Sequence, residues 1–119
     1  RARLTPGESN SGTVRAINAE TGRTEWLYEQ RAGTVSYVAT GGRLVFGGDV
    51  NGRFRAFDDE TGEILWEINL GAEVVGYPIS YAVDGKQYVA VNTGRGLGGV
   101  GTPEIRPSGN ANLFIFALP

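Results

Sequence analysis

A chain of 119 residues with 11 basic and 13 acidic side chains and a net charge of −2 has room for one small domain. Without any run of like charge it offers no electrostatic footprint for nucleic acid or an anionic membrane. Cysteine and histidine are both absent, which excludes disulfides, thiol catalysis, thiolate zinc sites, an imidazole base and the commonest transition-metal ligand. No apolar stretch reaches the roughly 18 residues a membrane-spanning helix needs, and the opening RARLTPGESN is polar and loop-like, as a mature or truncated start would be.

The predicted elements are all strands. Val14 to Asn18 alternates and is β-branched, which reads as a strand; Ala19-Glu20-Thr21-Gly22 then reads as a turn and Arg23 to Tyr28 as the returning strand, carrying Trp26. Val35 to Thr40 and Arg43 to Phe46 follow, joined by Gly41-Gly42 as a two-residue hairpin loop. Gly47 to Gly52 (GGDVNG) leads into Arg53 to Asp58, the turn Asp59-Glu60-Thr61-Gly62, and Glu63 to Asn69. Tyr77 to Val83 and Gln87 to Asn92 flank Asp84-Gly85, a strong hairpin signal. Thr93 to Ala111 is glycine-rich and aperiodic, and Asn112 to Leu118 is a ninth strand. Nineteen glycines against a usual share of about 7% fit this density of turns, because they stand beside aromatic and β-branched residues.

Two of these hairpins are copies. Gly12 to Trp26 reads GTVRAINAETGRTEW and Gly52 to Trp66 reads GRFRAFDDETGEILW, with Gly, Arg, Ala, Glu, Thr, Gly and Trp identical at an offset of 40 residues. That period, built from short strands and tight turns, marks a stacked or radial β-repeat. With four strands per unit the chain divides into the end of one blade over 1–30, a complete blade over 31–70, and an incomplete last blade over 71–119 with a glycine-rich loop at 93–111. Trp26 and Trp66 occupy equivalent places, where a large aromatic suits docking between neighbouring sheets.

The repeat resembles the tryptophan-docking motif A-x-D-x-x-T-G-x-x-x-W of quinoprotein propellers, with Asn18 in the first copy where the pattern has Asp. The longer text VATGGRLVFGGDVNGRFRAFDDETGEILW, then YPISYAVDGKQYVAVNTG and the terminal NLFIFALP, is similar to the carboxy-terminal blades of dehydrogenases that use pyrroloquinoline quinone (PQQ) to oxidise alcohols. The resemblance implies an all-β fold, a partial β-propeller of about two to two and a half blades of four-stranded antiparallel sheet. It also implies a periplasmic enzyme, an eight-bladed ring, PQQ with calcium or a lanthanide ion at its centre, and hydride transfer from a small-molecule alcohol to the quinone. The family's base, metal ligands and vicinal cysteine pair lie in earlier blades, so no catalytic or metal-binding residue is assigned here. By position in the family, Gly96, Leu97 and Gly98 approach the quinone. The chain departs from its relatives in having no tryptophan near that loop, and in reading Thr34-Val35-Ser36 where many have a tryptophan-glycine pair.

Several features have plainer readings. Glu20, Asp58 and Glu60 sit at turns and read as caps or solvated charges. Asp49-Val50-Asn51-Gly52 lacks the later oxygen ligands of a calcium loop, and the G-x-G-x-x-G at Gly94 to Gly99 has no helix after it to receive a phosphate. The alternative function is a non-catalytic propeller of the same repeat type acting as an assembly scaffold. A WD-type propeller is weaker still, since it calls for a Gly-His signature. The open sheet edges point to pairing with missing blades or self-association, and alone the chain is expected to bind neither PQQ nor calcium tightly.

Overall fold

A computed structural model describes residues 6–95 and 110–119. Nine strands form: β1 (Gly12–Ile17), β2 (Thr24–Gln30), β3 (Gly33–Ala39), β4 (Leu44–Asp49), β5 (Arg53–Asp58), β6 (Ile64–Asn69), β7 (Glu73–Val83), β8 (Lys86–Gly94) and β9 (Asn112–Ala117). They make three antiparallel sheets of two, four and three strands, ordered β1-β2, β3-β4-β5-β6 and β7-β8-β9. Among the described residues there is no helix, so the expected all-β meander is what forms.

The two copies of the repeat fold alike because their turn chemistry is the same. In the second, Asp58 N–H donates to the Glu63 carbonyl at 2.8 Å and Gly62 N–H returns to the Asp58 carbonyl at 2.9 Å. Asp58 Oδ1 accepts from the backbone of Glu60 (2.9 Å) and Thr61 (2.8 Å). In the first copy Asn18 Oδ1 accepts from Glu20 and Thr21, both at 3.0 Å, so the amide performs the task that the carboxylate performs later. Ala16 faces Trp26 and Ala56 faces Trp66 across the strands. One residue further on, each hairpin shifts register in the same way, the kink of a β-bulge.

Two loops depart from the sequence reading. Gly41-Gly42 is not a two-residue hairpin: Arg43 takes the left-handed conformation (φ 63°), and the loop closes through Arg43 N–H to the Thr40 carbonyl and Thr40 N–H to the Leu44 carbonyl. The loop is therefore one residue longer, a turn followed by a left-handed residue. Gly47 and Gly48 belong to β4 rather than to a connector. A Cβ at Gly47 would lie 1.9 Å from the Tyr37 ring, and one at Gly48 would lie 2.4 Å from Val74; the pair exists for close approach on both faces of the strand. Asp84 and Gly85 both have positive φ, as the expected tight hairpin requires.

The main core lies between the second and third sheets and is built from Phe46, Phe54, Ala56, Val74, Val89 and Val91. Phe54 is fully buried, stacked between Phe46 and Phe116 with both centroids 6.0 Å away, and met edge-on by Trp66 at 6.1 Å. Trp26 performs the corresponding task between the first and second sheets. It stacks on Phe57 at 6.2 Å, donates its indole N–H to the Asp59 carbonyl at 2.8 Å, and lies over Gly62, where a Cβ would come within 2.6 Å of the ring. Both tryptophans therefore dock sheet onto sheet.

Candidate functional site

β3 and β7 are the first strands of their sheets and lie against each other. Both lose their regular ladder at corresponding places, β3 between Gly33 and Tyr37 and β7 between Val75 and Ile79. The two irregular stretches meet, since the Ser36 hydroxyl donates to the Gly76 carbonyl. Bulges at such places re-aim side chains and often neighbour functional sites.

Gly96, Leu97 and Gly98 lie outside the described residues. The ends of their loop are in view. Thr93, buried, donates its hydroxyl to the Asn110 carbonyl at 3.3 Å and pairs with Asn112 in the ladder, while Gly94 faces Glu73 at the start of β7. The loop therefore leaves and rejoins the third sheet at the end where β7 begins.

Behind β3 lies a buried polar cluster that the sequence reading did not find. Arg55, on β5, is only 4% exposed. Its Nη1 donates to Asp49 Oδ2 at 3.0 Å and to Gln30 Oε1 at 3.4 Å, and its Nε donates to Glu67 Oε2. The guanidinium carbon sits 5.5 Å from the centre of the Tyr28 ring, a cation–π distance. Gln30 Nε2 in turn donates to the Tyr37 hydroxyl at 3.1 Å. Burial works against the charged guanidinium, but the Asp49 charge and the bonds to Glu67 and Asp49 outweigh it, and its pKa is raised. Burial also raises the Tyr37 phenol above its ordinary 10.0, against the opposing pull of the Gln30 bond and the Arg55 charge.

Residues weighed from the sequence find plain roles. Asp49 caps its own turn through Oδ1, which accepts Arg53 N–H at 2.9 Å, and spends its other oxygen on Arg55. Glu60 pairs with Arg43, and Arg43 Nε also reaches Asp59 at 3.4 Å, so these charges brace the turn under Trp26. The only sequence signal for the cluster was an arginine repeated inside an otherwise apolar strand. That signal is ambiguous: Arg15, its counterpart, is exposed, because only Arg55 has another sheet packed over it.

Among the described residues no three His, Cys, Asp or Glu side chains converge as a metal site would require. The two carboxylates that meet Arg55, buried Asp49 and the more exposed Glu67, are both engaged by it. The described part thus does not supply the ligand set of a divalent cation.

Comparison with known proteins gives the setting for this geometry. A family model described as the β-propeller domain of glucose/ethanol/alcohol dehydrogenases, PQQ, matches residues 30–89, a span that holds both strand irregularities and the Gln30–Tyr37–Asp49–Arg55–Glu67 cluster. The chain belongs to this PQQ propeller family. A quinoprotein ethanol dehydrogenase of Pseudomonas putida is 39% identical over 90 residues, 75% of this chain and 14% of that protein. Among solved structures, a europium-containing methanol dehydrogenase superposes with a TM-score of 0.81 at 29% identity, over 94% of this chain and 24% of its own. A BamB from Moraxella catarrhalis reaches a TM-score of 0.53 at 29% identity, over 70% of this chain and 27% of its own. The chain thus spans about a seventh of the length of the curated relative it matches. No described helix is long and apolar enough to cross a membrane.

Proposed function

We propose that the chain is the carboxy-terminal part of a PQQ-dependent dehydrogenase that oxidises small-molecule alcohols by hydride transfer to the quinone. In this reading the three sheets are consecutive propeller blades supplying scaffold, and Gly96, Leu97 and Gly98 form part of the cofactor roof. The observation that carries it is the similarity to quinoprotein alcohol and methanol dehydrogenases, which runs through nearly the whole chain in structure and most of it in sequence. The quinone would bring the redox chemistry; calcium or a lanthanide would accompany it at the ring centre, and the enzyme would work in the periplasm. Assembly would proceed by pairing the open sheets with further blades or, failing those, with another copy. The scaffold alternative is supported by the BamB likeness, but at a TM-score of 0.53 against 0.81 it is the weaker reading.

The test is dye-linked oxidation of primary alcohols after reconstitution with PQQ and calcium, comparing the 119-residue chain with the complete polypeptide that carries it. Turnover by the complete polypeptide and none by the isolated chain is the expected result. Turnover by the isolated chain would overturn the scaffold role, and a silent complete polypeptide would overturn the dehydrogenase.

A further inference from the structure

We infer that Arg55 is a positioning residue: its buried network holds Tyr37 from behind and so sets the first strand of its sheet, β3, with Ser36 against Gly76 of β7. The inference rests on the dehydrogenase reading only in taking β3 and β7, the first strands of their sheets, to face the ring centre proposed for the quinone. Where a ladder runs unbroken, strand position follows from the pairing itself. β3 shifts register between Gly33 and Tyr37, and β7 between Val75 and Ile79, so there side-chain contacts add to what pairing alone would fix.

The side chains that do it form one chain of contacts. Asp49 and Glu67 orient the Arg55 fork. Arginine can only donate, so it turns the oxygen of the Gln30 amide toward itself and leaves the amide nitrogen to donate to the Tyr37 hydroxyl. The Tyr37 ring is seated on Gly47 with no room for a Cβ beneath it. The preceding residue, Ser36, points the other way and donates to the Gly76 carbonyl. β3 is thereby clamped backward to the first sheet and forward to the third at two consecutive residues. An apolar filling of this site could be as stable as the buried ion pair, but it would not fix the direction of the Gln30 amide. The network's distinctive contribution is thus geometry.

The experiment compares the complete polypeptide with the double variant Asp49→Asn, Arg55→Met. Both charges of the buried pair are removed together, and the amide retains the oxygen that caps Arg53, so thermal stability is expected to hold. Amide exchange over residues 33–40 and 73–80 should accelerate about tenfold, with residues 53–58 and 86–92 unchanged. Arg55→Lys, which retains the charge but lacks the fork, should show the same local acceleration. If the double variant does not fold, Tyr37→Phe removes only the hydroxyl and carries the same expectation. Uniform acceleration across all strands, or none, overturns the inference. Where the parent turns over alcohol, kcat/KM of the variant should fall about tenfold at unchanged Tm; unchanged kcat/KM with local acceleration would separate β3 from the proposed quinone site and overturn the functional half. A parent without quinone-dependent turnover would sink the dehydrogenase reading and leave the exchange result to decide the positioning role.

Discussion

Asp58 and Asn18 show how much one side-chain oxygen decides. Both close the same six-residue turn, and both accept two backbone N–H groups through Oδ1. They differ in charge. Hydrogen bonding from the Thr61 backbone, helped by the Thr61 hydroxyl and the Glu60 backbone and opposed by partial desolvation, lowers the Asp58 pKa below its ordinary 3.8. A carboxyl whose folded pKa is depressed contributes stability above its unfolded pKa and loses that contribution as pH falls through the folded value. Acid should therefore loosen the second repeat hairpin below about pH 4, and Asp58→Asn should flatten that part of the stability–pH curve while leaving the turn intact. Chemical denaturation midpoints at pH 3 and pH 7 test this; an equal pH dependence in wild type and variant would count against it. The first hairpin already carries the amide and serves as the internal control.

At the scale of elements, the turn is also a platform. Gly22 and Gly62 have nearly the same backbone, φ 71° and 72°, but a Cβ on Gly22 meets nothing within 4 Å whereas one on Gly62 strikes the Trp26 indole at 2.6 Å. Gly22→Ala should cost only the left-handed backbone penalty of about 1–2 kcal/mol. Gly62→Ala should cost that plus the displacement of Trp26, about 1–3 kcal/mol more, and should shift Trp26 fluorescence toward the red. Equal costs for the two substitutions would mean that Trp26 does not bear on the turn. Such pairs also show why some features could be read from residues and others could not. Turns and strands follow from local chemistry, and the repeat made docking tryptophans foreseeable. Whether Gly47-Gly48 is a connector or a close-packing point, and whether an arginine is solvated like Arg15 or buried like Arg55, depends on which sheet lies across it. The proposed roof residues Gly96, Leu97 and Gly98 fall outside the described region.

For the whole molecule the three sheets run in one direction. Trp26 points from the first sheet into the second, and Trp66 from the second into the third, where it meets Phe116 at 5.2 Å. The far face of the third sheet carries Ile79, Tyr81, Leu113 and Ile115, all well exposed, and no described sheet covers it. Its last strand is also unlike the last strands of the other two sheets. β2 carries Glu25 and Glu29, and β6 carries Glu67, charges that discourage pairing with another chain. β9 reads NLFIFA with no charge at all, which is the composition of a strand with a neighbour on each side. Left alone, such an edge is a template for pairing. The isolated 12.7 kDa chain should therefore self-associate in a concentration-dependent way, seen by light scattering as a mass well above the monomer. Ile115→Lys places a charge on an exposed position of β9, 54% accessible, where it disturbs no described core contact. It should return the mass toward the monomer with little loss of folded signal in circular dichroism. Association undiminished by that charge would move the contact away from β9, and a wild-type monomer stable at high concentration would remove the edge argument altogether.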